Sequence, residues 1–151
     1  MSSVSYPPLL CLADPSAYQT HFEDKYCRGP ISTFDGIKVW FRPDKFQHDF
    51  FESSNRDGVK DRFSTQRAER MNWIEATLQD PAAKLKQGWI KKERRYDAKR
   101  RVAVVKGNYV VVIAINQRNP NKADFVTAFV ADTQHTLNQI LASPSWTPTQ
   151  A

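Results

Sequence analysis

The stretch that most constrains this chain is 101–132, RVAVVKGNYVVVIAINQRNPNKADFVTAFVAD. It holds three apolar runs, 102–105, 109–115 and 125–130, separated by turn signals. Val, Ile, Tyr and Phe dominate the runs, and such side chains suit a pleated, half-buried surface. Gly107-Asn108 joins the first two runs, and both residue types tolerate the positive φ of a two-residue hairpin. Asn119-Pro120-Asn121 punctuates the second gap. The pattern predicts an antiparallel meander whose middle strand, YVVVIAI, is buried on both faces. Seven residues are too few to span a membrane.

The 151 residues suit one domain, and a chain of this size buries roughly two-thirds of its unfolded surface. An apolar fraction of 40% excludes a disordered chain. The net charge of +6 points towards an anionic partner, and its distribution says more. Between Lys84 and Lys106 stand ten basic and two acidic residues, a surplus of eight, while the rest of the chain is slightly acidic. The positive charge is one local block.

Upstream, residues 1–36 read as an irregular arm broken by Pro7, Pro8, Pro15 and Pro30, with a short helix from Pro15 to about Tyr26 capped by Asp14. Its aromatics have the bulk to dock on the body. Cys11 and Cys27 are the only cysteines, and with His21 they make a poor zinc set because no CxxC pair is present. A cytosolic setting would keep both thiols reduced. The apolar part after Met1 is short and holds Pro7 and Pro8, so no signal peptide is expected.

Residues 37–142 read as the α+β domain and 143–151 as a loose tail. IKVWFR predicts a strand over 37–42, and Pro43 opens a helix over 43–53 with Phe46 and Phe50 on its core face. At 100° per residue His48 points away from that face. After a polar loop carrying Lys60, Ser64 caps a helix running to about Leu78, where Asp80-Pro81 stops it. Arg67 lies on the apolar stripe of that helix between Phe63 and Met71, and Arg70 flanks it. A helical turn is expected over 81–87, then a basic strand over 89–97, then the meander and a closing helix over 133–141. The fold class is therefore α+β, an antiparallel sheet of about four strands packed by N-terminal helices.

Phosphate-binding loops, GxGxxG, HExxH, CxxC and GxSxG motifs are all missing from the sequence. No cofactor or metal is implied. What remains is His48, a near-neutral proton carrier; Lys60, Arg67 and Arg70 as phosphate-holding cations; and Thr127, a hydroxyl between Phe125 and Phe129. Lys91, Arg94 and Arg95 supply the basic strand, and Trp40, Trp89 and Tyr96 are aromatics able to stack on an unpaired base. His48, Arg67 and Thr127 are expected to converge on one cleft floored by the late strands.

This order of elements, with His48 and Lys60 early, basic strand residues in the middle and FVTAF late, resembles the barnase/EndoU/colicin/RelE-like ribonucleases, in particular their phage- and toxin-associated branches. The likeness spans 37–141 and rests on spaced single residues. It implies metal-independent endoribonuclease activity, with the 2′-hydroxyl of RNA attacking the adjacent phosphate. His48, Lys60 or Arg67, and Thr127 would be the catalytic set, and a toxin of this kind implies an inhibitor or immunity protein. The chain has one plausible histidine where some members have two. The competing reading is a non-catalytic module that uses the 84–106 block to bind nucleic acid or an acidic protein.

Overall fold

A computed structural model of the chain describes residues 6–52, 62–90, 95–116, 118–131 and 133–145, with backbone only at 52, 88–90 and 95–100. The first helix, α1 (Pro15–Tyr26), begins where the sequence predicts: the Ala17 amide donates to Asp14 Oδ1 at 2.8 Å, and Pro15 fills the first turn. Tyr18, Phe22 and Tyr26 recur every four residues and so form one buried stripe. After it come strands β1 (Ile31–Ser32) and β2 (Lys38–Trp40). The turn between them passes through Gly36 at φ +92°, where a side chain would be strained.

The next helix is shorter than the sequence predicts. Only Lys45–Asp49 (α2) is helical, because β3 (Phe51–Glu52) leaves it to pair antiparallel with β4 (Arg62–Phe63). Phe46 and Phe50 are buried, as their spacing requires. The single helix expected over 64–78 is divided into α3 (Thr65–Ala68) and α4 (Met71–Gln79). Ser64 caps α3, its hydroxyl accepting from the Arg67 amide at 3.3 Å. The break has a tertiary cause. The Glu69 carbonyl, which a continuous helix would offer to Trp73, instead accepts the Leu10 amide of the N-terminal arm at 2.7 Å. Trp73 N–H turns to the Arg70 carbonyl at 2.9 Å.

Residues 81–87 correct another expectation. Most of them belong to strand β5 (Lys84–Ile90), not to a helical turn, and β5 pairs with β6 (Arg95–Lys106). Leu85 opposes Val104 on the core side while Lys84 and Lys86 oppose Val105 and Ala103, so the segment alternates as an edge strand does. The meander appears as read: β6, β7 (Tyr109–Ile115) and β8 (Lys122–Val130) are antiparallel neighbours, with Gly107 at φ +59° in the turn.

The fold is α+β, but the sheet is mixed and has six strands in the order β1-β2-β8-β7-β6-β5. β2 lies parallel to β8, Lys38 opposite Lys122 and Trp40 opposite Asp124. Local pattern names a strand but not its neighbour: the strand read over 37–42 is β2, but its parallel pairing with β8 and the two-residue β1 were not legible.

The sheet has two unequal faces. On one, α1, α2 and α4 bury Val39, Val102, Val104, Val111, Ile113 and Phe125. Phe22 sits at the centre of this layer, within 6.2 Å of the rings of Tyr26, Phe41, Phe46 and Phe50. On the other face, α5 (Gln134–Leu141) lays Leu137, Ile140 and Leu141 over Ala103, Val105, Val110 and Phe129. The first 36 residues thus contribute a helix to the main core and a strand to the sheet.

Lys106 Nζ contacts Asp80 Oδ2 at 2.6 Å, tying the end of α4 to β6. That hydrogen bond holds the Asp80 carboxyl below its ordinary value. A lowered carboxylate stabilises the fold above the unfolded pKa and ceases to do so as pH falls through the folded one. Asp80→Asn should therefore cost roughly 1 kcal/mol at neutral pH, the pair being partly exposed. Urea melts of both proteins should converge in the acid range below the ordinary carboxylate value; a gap independent of pH would contradict this.

Candidate nucleic-acid interface and the helix-side pocket

The structure brings some of the predicted site residues together and separates others. Arg67 and Arg70, on either side of the α3–α4 break, line a cavity of about 130 Å³ with Gln66, Tyr109, Ala128, Phe129 and Val130. Arg67 Nη1 donates to the Asp49 carbonyl at 3.2 Å, so its head lies beside the residue after His48. Arg70 Nη1 donates to the Gln66 carbonyl at 2.8 Å and to Glu69 Oε1 at 3.0 Å. Its guanidinium also sits 5.1 Å from the Trp73 ring. Neither arginine merely runs its stem to solvent, because Arg67 is anchored by a carbonyl at the end of α2 and Arg70 by one in α3.

Tyr109 is 3% exposed. Burial raises its phenol well above the ordinary range, with neighbouring Tyr26 adding to the rise and Arg67 opposing it. It is a neutral O–H donor at any physiological pH. Sequence reasoning missed Tyr109, reading it as the start of a buried strand. A polar tip on the first residue after a turn was the available signal.

Thr127 is not in this pocket. Between Val112 and Ile113 the pairing of β7 with β8 slips, so that Val112 opposes Thr127 and Ile113 opposes Phe125. Val126 is the extra residue of a β-bulge, and one extra residue reverses which face the following side chains take. Phe125 therefore enters the main core, Ala128 returns to it, and Thr127 shares the α5 face with Val112 and Phe129. The sequence expectation of Phe125, Thr127 and Phe129 on one face assumed unbroken alternation. His48 is exposed on α2, across the sheet from Thr127. The cleft joining His48, Arg67 and Thr127 is not formed; His48 and Arg67 lie on one side and Thr127 on the other.

What surrounds Thr127 is a second surface. Residues directly opposed in a sheet share a face. Beyond α5, the outward positions are Lys38 and Trp40 on β2, Lys122, Asp124 and Thr127 on β8, Ala114 on β7 and Arg101 on β6, with Lys84 and Lys86 on the β5 edge. Among these described residues five are basic and one is acidic. Trp40 is 41% exposed, unusual for so large a ring. Asp124 lies opposite Trp40 across the β2–β8 pair, and Ala114 follows opposite Asp124 on β7.

Lys60, Lys91 and Arg94 lie outside the described residues, and for Trp89, Arg95 and Tyr96 only the backbone, in β5 and β6, is described. Of the cysteines, Cys11 is exposed and Cys27 is half-buried, its thiol pushed up to about 11 by burial, then by Glu23 and Asp44. A thiol so placed is a poor nucleophile. His21 is engaged with Asn72 Oδ1 at 2.8 Å. Among the described residues no cluster of three or more His, Cys, Asp or Glu has metal-holding geometry, and no helix is long and apolar enough to cross a membrane. Compared with protein-family models, curated proteins and solved structures, the chain finds no significant match, so the functional argument rests on geometry and charge.

Proposed function

We propose that this chain binds single-stranded RNA across the part of its sheet beyond α5. The observation that supports this most is the pairing of an exposed Trp40 with five cations and one acid on a single sheet face. Cations recruit a polyphosphate backbone by releasing its counterions. An exposed indole offers a stacking partner that a duplex, with its bases already stacked, does not use. RNA, as distinct from single-stranded DNA, follows from the resemblance carried by His48, Lys60 and FVTAF.

A second reading, metal-independent endoribonuclease, is favoured by one contact: Arg67 Nη1 on the carbonyl of Asp49, next in sequence to His48. RNA supplies its own nucleophile, so the protein has only to move protons and neutralise charge. The 2′-hydroxyl attacks the adjacent phosphorus, the 5′-oxygen of the next nucleotide leaves, and a cyclic phosphate remains. His48 would take or return the proton, Arg67 and Arg70 would hold the phosphate, and the Tyr109 hydroxyl would stand where Thr127 was expected.

Because the two surfaces lie on opposite faces of the sheet, one experiment separates the readings. End-labelled single-stranded RNA is incubated with the protein in EDTA, and binding and cleavage are both measured. Retention of RNA that Trp40→Ala weakens and His48→Ala does not supports the first reading. Cleavage abolished by His48→Ala supports the second. Neither retention nor cleavage at moderate salt would sink both.

A further inference from the structure

The helix-side cavity has features that an extended nucleic-acid strand does not require. It is small, about 130 Å³, and lined by Arg67, Arg70, Tyr109 and residues 128–130 of β8. Arg70 Nε is buried and has no hydrogen-bond partner. A buried donor left unpaired is destabilising, and an incoming acceptor would relieve it. Each guanidinium carries five N–H donors, and the bonds from Arg67 to the Asp49 carbonyl, and from Arg70 to the Gln66 carbonyl and Glu69, use only some of them. The Tyr109 hydroxyl adds a donor, and the Gln66 side chain stands exposed at the rim.

We propose that this cavity is a binding site for one phosphoryl group, as inorganic phosphate or as the monoester of a nucleotide. A tetrahedral anion matches converging donors from two guanidiniums and a phenol. The local charge sets its character. Glu69 is ion-paired with Arg70 at 3.0 Å, and the Asp49 carboxylate acts on the Tyr109 phenol in the sense opposite to Arg67, so hydrogen bonding selects the ligand more than net charge does. Binding is then of millimolar strength and only weakly sensitive to salt, unlike strand binding on the other face.

The walls are held by the N-terminal arm. Trp73 packs edge-on against Tyr109 at 5.5 Å and against the Arg70 guanidinium at 5.1 Å. Its indole N–H donates to the Pro7 carbonyl at 2.8 Å, and the Tyr6 ring stacks on it at 4.0 Å. The arm thus fixes the side chain on which both walls lean.

Phosphate binding here is independent of RNA binding by the sheet, and calorimetric titration with inorganic phosphate tests it. Saturable binding with Kd of about 1 mM is expected, changing little between low and high sodium chloride. Arg70→Gln should weaken it about tenfold or more, since a charge-assisted hydrogen bond is removed. Lys38→Glu, on the opposite face, should leave it unchanged. In case Arg70→Gln fails to fold, Gln66→Ala at the exposed rim is the second variant, expected to weaken binding by a few fold. Displacement of phosphate by a nucleoside monophosphate would identify the nucleotide as the source, and failure to displace it would leave inorganic phosphate. Absence of saturation, or phosphate binding unaltered in folded Arg70→Gln, overturns the site. Phosphate binding by a protein that leaves RNA intact would retain this site and remove the endoribonuclease reading.

Discussion

Phe22→Ala is expected to remove about 3–5 kcal/mol of stability, the loss found for large aromatic truncations in well-packed interiors. Phe22 is fully buried, and its ring meets Tyr26, Phe41, Phe46 and Phe50 at centroid distances of 5.5–6.2 Å. These partners come from α1, α2 and the residues flanking β2, so one deletion loosens three segments at once. Alanine leaves a void that aromatic neighbours, restricted to few rotamers, fill poorly. With total stabilities near 5–15 kcal/mol, the variant would sit close to unfolding at body temperature. Denaturant melts of both proteins measure it. A cost of about 1 kcal/mol or less would mean that the arm helix is only lightly attached and that the core lies elsewhere.

The second large effect is expected at the sheet face. Lys38→Glu with Lys122→Glu should weaken single-stranded RNA binding and flatten its dependence on salt, by about 0.7 in the log–log slope for each phosphate no longer neutralised. The two lysines are exposed, adjacent across the parallel β2–β8 pair, and flank Trp40. Reversal removes two attractive charges and sets two carboxylates beside Asp124, so the decline should exceed that of Lys→Ala at both positions. Trp40→Ala should cost a further 1–3 kcal/mol, roughly 5- to 150-fold in Kd, with little change in slope, because stacking releases few counterions. Fluorescence anisotropy across a salt series reads both quantities. Binding unchanged in the double reversal would move the interface off this face, to the helix-side pocket or to a protein partner.

The elements legible in the sequence were those written in local chemistry. The meander, its Gly107-Asn108 turn, the Asp14 cap of α1 and the Ser64 cap of α3 all depend on residues within a few positions of one another. So does the outward placement of His48, since α2 needs only its own helical period to bury Phe46 and Phe50. The basic surplus between Lys84 and Lys106 required nothing beyond counting.

Tertiary contacts decided the rest. The helix expected over 64–78 is broken because a carbonyl it needed is taken by Leu10, some sixty residues upstream. β2 pairs with β8, more than eighty positions away, and local periodicity carries no information about such a partner. Most consequential is Val126. Alternation along FVTAF predicts Thr127 on the face of Phe125, near Arg67, and a single extra residue in the β7–β8 register turns it to the opposite face. Arg67, Arg70, Thr127 and Trp40 could be named from the sequence; Tyr109, and the division of these residues between two surfaces, could not, because a bulge is a property of two strands together, set by how each packs on its own side of the sheet.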